Sequence, residues 1–239
     1  MRHKLGEGKT KIVYDTDKSD TVLLKFKDDI TALDGKKHDV LKGKGRINAT
    51  ISAKIFQELE RAGVPTHFEE YIQPDSIIAY KLEMIPIEVV CRNYAAGHLL
   101  SRLPMIKEGT RFKDPLIEFY LKNDALHDPI LNEDHLRVLD LANGREIQEI
   151  KNLTKAVSKD LTRFMSVRGL KLIDFKLEFG RDKYGKLRVG DELNADSMRL
   201  WDLDTGKGFD KDAYRRGASL SKVLQVYEEL YKRIIGRKP

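Results

Sequence analysis

The chain carries a single cysteine, Cys91. That excludes an intrachain disulfide framework and zinc sites built from cysteine clusters. Cys91 falls in the apolar run "IEVVCRN", where an inert buried thiol is expected rather than a nucleophile. No apolar run approaches the ~20 residues of a membrane span, and the opening "MRHKLGEGK" lacks the apolar core of a secretory signal. A cytoplasmic protein without a membrane partner is expected. Long Lys/Arg tracts are also missing, although the net charge is +6 and the pI is near 9.1. The 38 acidic residues are interspersed among the 44 basic ones, so nucleotides and small phosphorylated metabolites explain the excess as well as nucleic acid does. Repeats and low-complexity tracts are absent. The six histidines show no metal-ligand spacing, and no Ser/His/Asp arrangement stands out.

What is present suits one large domain or two small lobes: 239 residues, of which 41% are hydrophobic and 34% charged. Short strand patterns fill the first third: "KIVYD", "TVLLKF", "HFEEYI" and "IIAYKLEM", rich in β-branched and aromatic residues. One helix interrupts them, with Ile47, Ile51, Ile55 and Leu59 at a spacing of four and Gly63 as its stop. "MIPIEVV" contains Pro86, a joint between two lobes. Helix patterns follow from about Arg145 to Arg168, closed by Gly169, and from about Ser219 to Ile235. The order predicts an α+β fold of two lobes around a cleft: residues 1–85 as an antiparallel N-terminal lobe with one helix, residues 86–239 as a larger α/β lobe.

Three stretches carry chemistry. "LGEGKTKIVY" holds Gly6, Gly8, Lys9 and Lys11. It is not a P-loop, because residue 3 is His where that motif needs glycine, and a strand pattern rather than a helix follows. A glycine-rich hairpin covering phosphates fits better, with a basic exposed turn as the other reading. Alternation sets Lys9 and Lys11 on one face with Val13, at strand positions expected to face solvent. "LIDFKLEFG" places Asp174, Lys176 and Glu178 on one strand face and Ile173, Phe175, Leu177 and Phe179 on the other. That charged face is a solvated surface or the wall of a site. A two-residue turn at Tyr184–Gly185 would set Glu178 opposite Asp191, a like-charge pair that asks for a cation such as magnesium. The alternatives are that both carboxylates point into water or that the register differs by one. Finally, "EVVCRNYAAGH" combines Arg92 with small residues that let backbone approach a ligand.

These segments, with "DDITALDG", "FYLKNDALHDP", "GDELNADSMRLWD" and "FDKDAYRRG", occur in the order expected of the phosphoribosylaminoimidazole-succinocarboxamide synthase (SAICAR synthetase) family. The resemblance runs from about residue 5 to residue 217, and "RNYAAG" and "DFKLEFG…GDE…DS…RLWD" are its most specific parts. It implies ATP-dependent ligation of L-aspartate to the carboxylate of carboxyaminoimidazole ribonucleotide (CAIR), giving SAICAR, ADP and phosphate in purine biosynthesis. A small-molecule kinase using the same ATP site is the alternative. The implied fold is two-lobed, with a kinase-like N-terminal sheet over ATP, and a homodimer is expected. ATP and Mg2+ are the implied cosubstrate and metal. Carried over by position, Gly8, Lys9, Lys11, Val13, Val22, Met84, Lys122, Glu178 and Asp191 resemble the ATP site, with Glu178 and Asp191 as magnesium ligands. Asp34, Arg92, His98, Asp174, Lys176, Asp196, Arg199 and Arg215 resemble the nucleotide-substrate and aspartate site. Lys11, Lys122, Asp174 and Lys176 are the implied catalytic residues. The chain departs from the family pattern at His98, where many relatives have serine, and at Ala195, where many have proline before the aspartate.

Overall fold

The computed structural model describes residues 2–32, 37–209 and 211–236. Strands β1 (Lys4–Glu7), β2 (Lys11–Asp15) and β3 (Thr21–Phe26) lead into a two-stranded ribbon, β4 (Asp29–Ala32) and β5 (Lys37–Val40). Helix α1 (Lys44–Arg61) follows, then β6 (Phe68–Ile72) and β7 (Ser76–Tyr80). The first sheet is antiparallel with order β1-β2-β3-β7-β6. Lys11, Val13, Leu24 and Phe26 share one face of it, since Lys11 pairs with Phe26 and Val13 with Leu24. That face turns to the core: Leu24 and Phe26 pack with Ile47, Ile51 and Ile55 of α1. Lys11 is therefore buried, 9% exposed, against the expectation of a solvent-facing lysine.

The chain then enters a second sheet through β8 (Glu83–Met84) and β9 (Ile87–Tyr94), helix α2 (His98–Arg102), β10 (Arg111–Leu121) and β11 (Ile130–Leu131). The expected single strand "IIAYKLEM" is thus split between the sheets, with Lys81 and Leu82 connecting β7 to β8. Helices α3 (Glu133–Val138) and α4 (Gly144–Ser166) precede the long β12 (Leu170–Arg181), β13 (Leu187–Gly190) and β14 (Met198–Asp202). Helices α5 (Asp212–Arg215) and α6 (Leu220–Ile235) close the chain. The sheet runs β11-β10-β9-β12-β13, with β14 and β8 also pairing with β12. A capping box starts α4: the Asn143 side chain accepts from the Glu146 amide while the Glu146 carboxylate accepts from that of Asn143. The apolar stripe Ile147, Ile150, Val157 and Leu161 of α4 then buries Val89, Cys91, Phe175, Leu177 and Phe179. Cys91 is fully buried, which pushes its thiol up to about 12.

With one sheet face given to α4, the other face of β9, β10, β12 and β14 carries the charges. Two details of register put them there. The β12–β14 pairing shifts between Leu172 and Asp174, admitting one extra residue, Ile173. Leu170 and Leu172 thereby stay in the core with Phe175, while Asp174, Lys176 and Glu178 take the opposite face. At the hairpin, Glu178 pairs with Gly190, one residue away from the expected Asp191. The turn is a three-residue loop, because the Asp182 carboxylate accepts from the amides of Tyr184 (2.9 Å) and Lys186 (3.0 Å) and Gly185 adopts φ +76°. Asp191 lies just past the strand end with φ +60°, and this turn of the backbone brings its carboxylate back to the Glu178 side. The two sheets are joined by backbone: Val189 N donates to Pro65 O (3.0 Å) and His67 N to Val189 O (2.9 Å).

Candidate active site

A cavity of about 490 Å³ lies between the β1–β2 hairpin and the charged face of β12. Gly8, Lys9, Lys11 and Val13 line it from the first sheet; Lys122, Lys176, Glu178 and Asp191 line it from the second. Its lysines are matched to carboxylates. Lys11 Nζ is 2.9 Å from Asp191 and 2.8 Å from Glu192; Lys176 Nζ is 2.6 Å from Glu88 and 4.0 Å from Glu178; Lys122 Nζ is 2.6 Å from Glu178. Burial alone would push Lys11 down, but Asp191 and Glu192 outweigh it, so this ammonium is held above the ordinary lysine range. Lys176 is raised in the same way by Glu88, Asp191 and Glu178. Burial would also raise Asp191, yet Lys11, Lys176 and Lys122 keep it below the usual aspartate range. Glu178 goes the other way. Burial and the Asp191 charge together outweigh its lysines and raise it.

That opposition is the structural test of a metal. Two buried carboxylates repel, one of them is held toward its protonated form, and a cation between them would relieve both effects. The donor set fits magnesium. Among the described residues no three His, Cys, Asp or Glu side chains form a ready-made cage, so such an ion would take its remaining oxygens from phosphate and water.

A second cavity, about 590 Å³, adjoins the first and shares Glu88, Lys176, Asp196 and Lys211 with it. Arg92, Asp174 and Arg199 of its wall belong to a chain of alternating charge across four strands. Arg102 of α2 donates to Glu118 (2.5 Å), Glu118 accepts from Arg92 Nε (2.7 Å), and Asp174 accepts from Arg92 (2.9 Å) and Arg199 (2.5 Å). Direct pairing of Asp174 with both Arg92 and Arg199 places the three side by side. Gly97, φ +58°, makes this fit possible: a Cβ there would stand 2.6 Å from an Arg199 nitrogen. His98 and Arg215 also line this cavity.

Asp196 sits at the floor of both cavities and is held from three sides. It accepts from Lys44 (2.6 Å), Asn48 (3.0 Å) and the Tyr227 hydroxyl (2.5 Å). The loop before it lacks proline but is fixed by the Asn194 side chain, which accepts from Asp196 N at 2.9 Å, and by the Ser197 hydroxyl, which accepts from Asn194 N at 3.0 Å. Lys44 occupies the first turn of α1, a poor place for a cation by helix dipole, and Asp196 offsets that.

Of the predicted residues, Val22 and Met84 line neither cavity. Val22 is buried in the first sheet, and Met84 lies over Gly180 and Gly190, where a Cβ would come 3.0 and 3.4 Å from its sulfur. Asp34 lies outside the described residues. Sequence reasoning missed Lys44, Glu88, Glu118, Glu192, Lys211 and Tyr227. Glu88, Glu192 and Lys211 stood inside quoted segments without a role; nothing local marks the others. A third, larger cavity of about 850 Å³ between the β7–β8 connection and the β12–β13 hairpin holds none of the predicted residues. Three of its four cations are paired, Lys183 to Asp20 (2.9 Å), Arg188 to Asp182 (2.8 Å) and Arg181 to Glu146 (2.6 Å).

A family model described as SAICAR synthetase matches residues 4–234. The phosphoribosylaminoimidazole-succinocarboxamide synthase of Sulfurisphaera tokodaii is 50% identical over 231 residues, covering 97% of both chains. The enzyme of that name from Methanothermobacter thermautotrophicus is also 50% identical over 231 residues, covering 97% of this chain and 92% of its own. Among solved structures, a SAICAR synthetase (type 2) in complex with ADP superposes with a TM-score of 0.92 at 42% identity, covering 98% of each chain. The phosphoribosylaminoimidazole-succinocarboxamide synthase of Ehrlichia chaffeensis gives 0.94 at 38%, covering 99% of this chain and 100% of that one.

Proposed function

The chain belongs to the SAICAR synthetase family, and from that premise we propose that its two adjoining cavities divide one ligase reaction between them. ATP takes the lysine-lined cavity and CAIR the arginine-lined one, and L-aspartate meets the activated carboxylate where they join. The sharing of Glu88, Lys176, Asp196 and Lys211 by both cavities is the observation that carries this reading.

A carboxylate is a poor acylating agent. Transfer of the γ-phosphate makes it an acyl phosphate, which the aspartate amine attacks. Lys11 and Lys122, with Lys9 on the hairpin, hold the phosphates; their present carboxylate partners are exchanged for phosphate oxygens of the same charge. Val13 supplies apolar surface for the adenine. Arg92, Arg199 and Arg215 bind the anionic end of the ribonucleotide, with Asp174 fixing two of these forks. Lys176, at the boundary, neutralises charge as the phosphoryl group passes from one cavity to the other. Glu178 and Asp191 would hold Mg2+, which supplies charge neutralisation at the phosphates when bound.

A lobe division at residue 85 is supported by the change of sheet after β7, although β8, which precedes it, pairs with β12. A homodimer and a cytoplasmic location go with the family reading. Among the described residues no helix is long and apolar enough to cross a membrane.

The test is ADP release with each substrate omitted in turn. The ligase requires CAIR and L-aspartate together. A kinase would release ADP with one acceptor and no dependence on an amino acid, and that result would overturn the reading.

A further inference from the structure

Aspartate arrives at neutral pH as an ammonium, with no lone pair to attack with. A group at the junction of the cavities has to remove a proton first. Glu88, Lys176, Asp196 and Lys211 line that junction. Glu88 is 2.6 Å from Lys176. Lys176 itself is held protonated by Glu88, Asp191 and Glu178. Asp196 accepts from Lys44, Asn48 and Tyr227, and although burial would raise its carboxyl, Lys44 and Lys211 keep it well below the ordinary range, which makes it a weak base.

Lys211 is different. It is 9% exposed, and its Nζ lies 4.0 Å from Asp196 Oδ1, beyond hydrogen-bond reach of a carboxylate already engaged by Lys44 and Tyr227. Lys11, equally buried, has two carboxylates within 2.9 Å. The charged groups facing Lys211 are Asp196, Lys44 on α1, Arg215 on α5 and Glu192 after β13, with Tyr227 of α6 bound to Asp196. Burial, Lys44 and Arg215 outweigh Asp196 and Glu192, so Lys211 is shifted down while Lys11 and Lys176 are shifted up.

We propose that the Lys211 amine accepts the proton that the aspartate ammonium loses before it attacks the acyl phosphate. Of the three ammonium protons, one passes to the Lys211 Nζ lone pair. The freed nitrogen lone pair forms the carbon–nitrogen bond, and the acyl carbon–oxygen bond breaks with its electrons leaving on phosphate. A second proton goes to that phosphate, the third remains on the amide, and Lys211 returns its proton to water.

This rests on the ligase reading above. The experiment is kcat against pH for wild type, Lys211→Arg and Lys211→Ala with ATP, CAIR and L-aspartate, with melting temperatures alongside. Lys211→Arg keeps the charge and bulk but not the base, so kcat falls on the order of 100-fold and the acid limb of the profile disappears. The KM values for ATP and CAIR stay within about threefold, separating a proton-transfer role from a structural one. Ethylamine restores part of the Lys211→Ala rate. A Lys211→Arg enzyme within about threefold of wild type, with the same pH profile, would show that only the charge matters and would overturn the proposal. So would a folded Lys211→Ala enzyme that no small amine rescues. A wild-type enzyme showing no joint dependence on CAIR and aspartate would instead remove the ligase reading itself.

Discussion

The two cavities share a wall and use opposite kinds of cation. The first is lined by lysines, all but Lys211 held against one or two carboxylates. The second is lined by Arg92, Asp174 and Arg199, part of a fixed alternation that Glu118 and Arg102 continue outside its lining. An ammonium is a point charge on a flexible stem that can follow a moving phosphoryl group; a guanidinium is a planar fork that holds an anion in one place. The difference matches a site in which one substrate gives up a group and the other stays still. It also locates the weak point of each cavity: charge balance in the first, geometry in the second.

The largest effect is expected in the first cavity. Glu178→Gln should lower turnover by about 3 kcal/mol, on the order of 100-fold, as for loss of one electrostatic stabiliser at a reaction centre. Its metal-free melting temperature should hold or rise. The sign follows from the raised Glu178 carboxyl: above the ordinary glutamate pKa the unfolded chain gives up this proton more readily than the folded one, so the ionised group favours unfolding and a neutral isostere removes that cost. Turnover over a magnesium titration, with melting curves in chelator, checks both halves. Equal rates and equal magnesium dependence would return the β12 face to a merely solvated surface.

In the second cavity the loss should be geometric. Glu118 is 7% exposed and holds both Arg92 and Arg102. Glu118→Gln should destabilise by roughly 3 kcal/mol, since it leaves buried guanidinium charge short of a partner. The KM for CAIR should rise by about tenfold while that for ATP changes little, because Arg92 loses its anchor on the side away from Asp174. Thermal melts and paired KM determinations measure this. A parallel rise in both KM values would mean the chain of arginines does not belong to one substrate.

The smallest effect concerns the support behind the first cavity. His67 is 4% exposed and packs edge-on against Phe56 at 5.1 Å. Burial and, to a lesser degree, Lys11 lower its pKa to about 4. Between pH ~6.5 and about 4 the unfolded chain therefore binds a proton that the folded chain refuses, and stability falls as pH drops through that window. At pH ~5 the loss should be about 2 kcal/mol. His67→Gln should remove most of it, seen as a smaller drop in the metal-free melting temperature between neutral pH and that point. An unchanged drop would assign the acid sensitivity to other groups.

Much of this was legible in the sequence. The strands "KIVYD" and "TVLLKF" lie at β2 and β3 as read, α6 begins after the Ser219 cap, and α4 follows its apolar stripe to Ser166, with Gly169 (φ +68°) in the turn beyond it. Period-two charge on β12 separated the face that lines the two cavities from the core face, but the three-residue turn moved Glu178 from Asp191 to Gly190, because the Asp182 side chain holds that turn through bonds that patterning does not register. Lys11 was placed in solvent because alternation separates two faces without saying which one the rest of the chain covers. Glu118, Lys44 and Tyr227 were invisible for a related reason. Each meets its charged partners across more than fifteen residues of sequence, and only the packing of sheet and helices brings them together.

The division of labour between the cavities is tested most directly by calorimetric Kd values for ADP, with magnesium present, and for CAIR on two variants, Lys11→Met and Arg199→Met. The account predicts a crossed pattern. Lys11→Met should weaken ADP by on the order of tenfold and leave CAIR near its wild-type value, while Arg199→Met should do the reverse, each losing one charge-assisted contact to its own ligand. If either substitution weakens both ligands equally, the two cavities are not separate halves of one site.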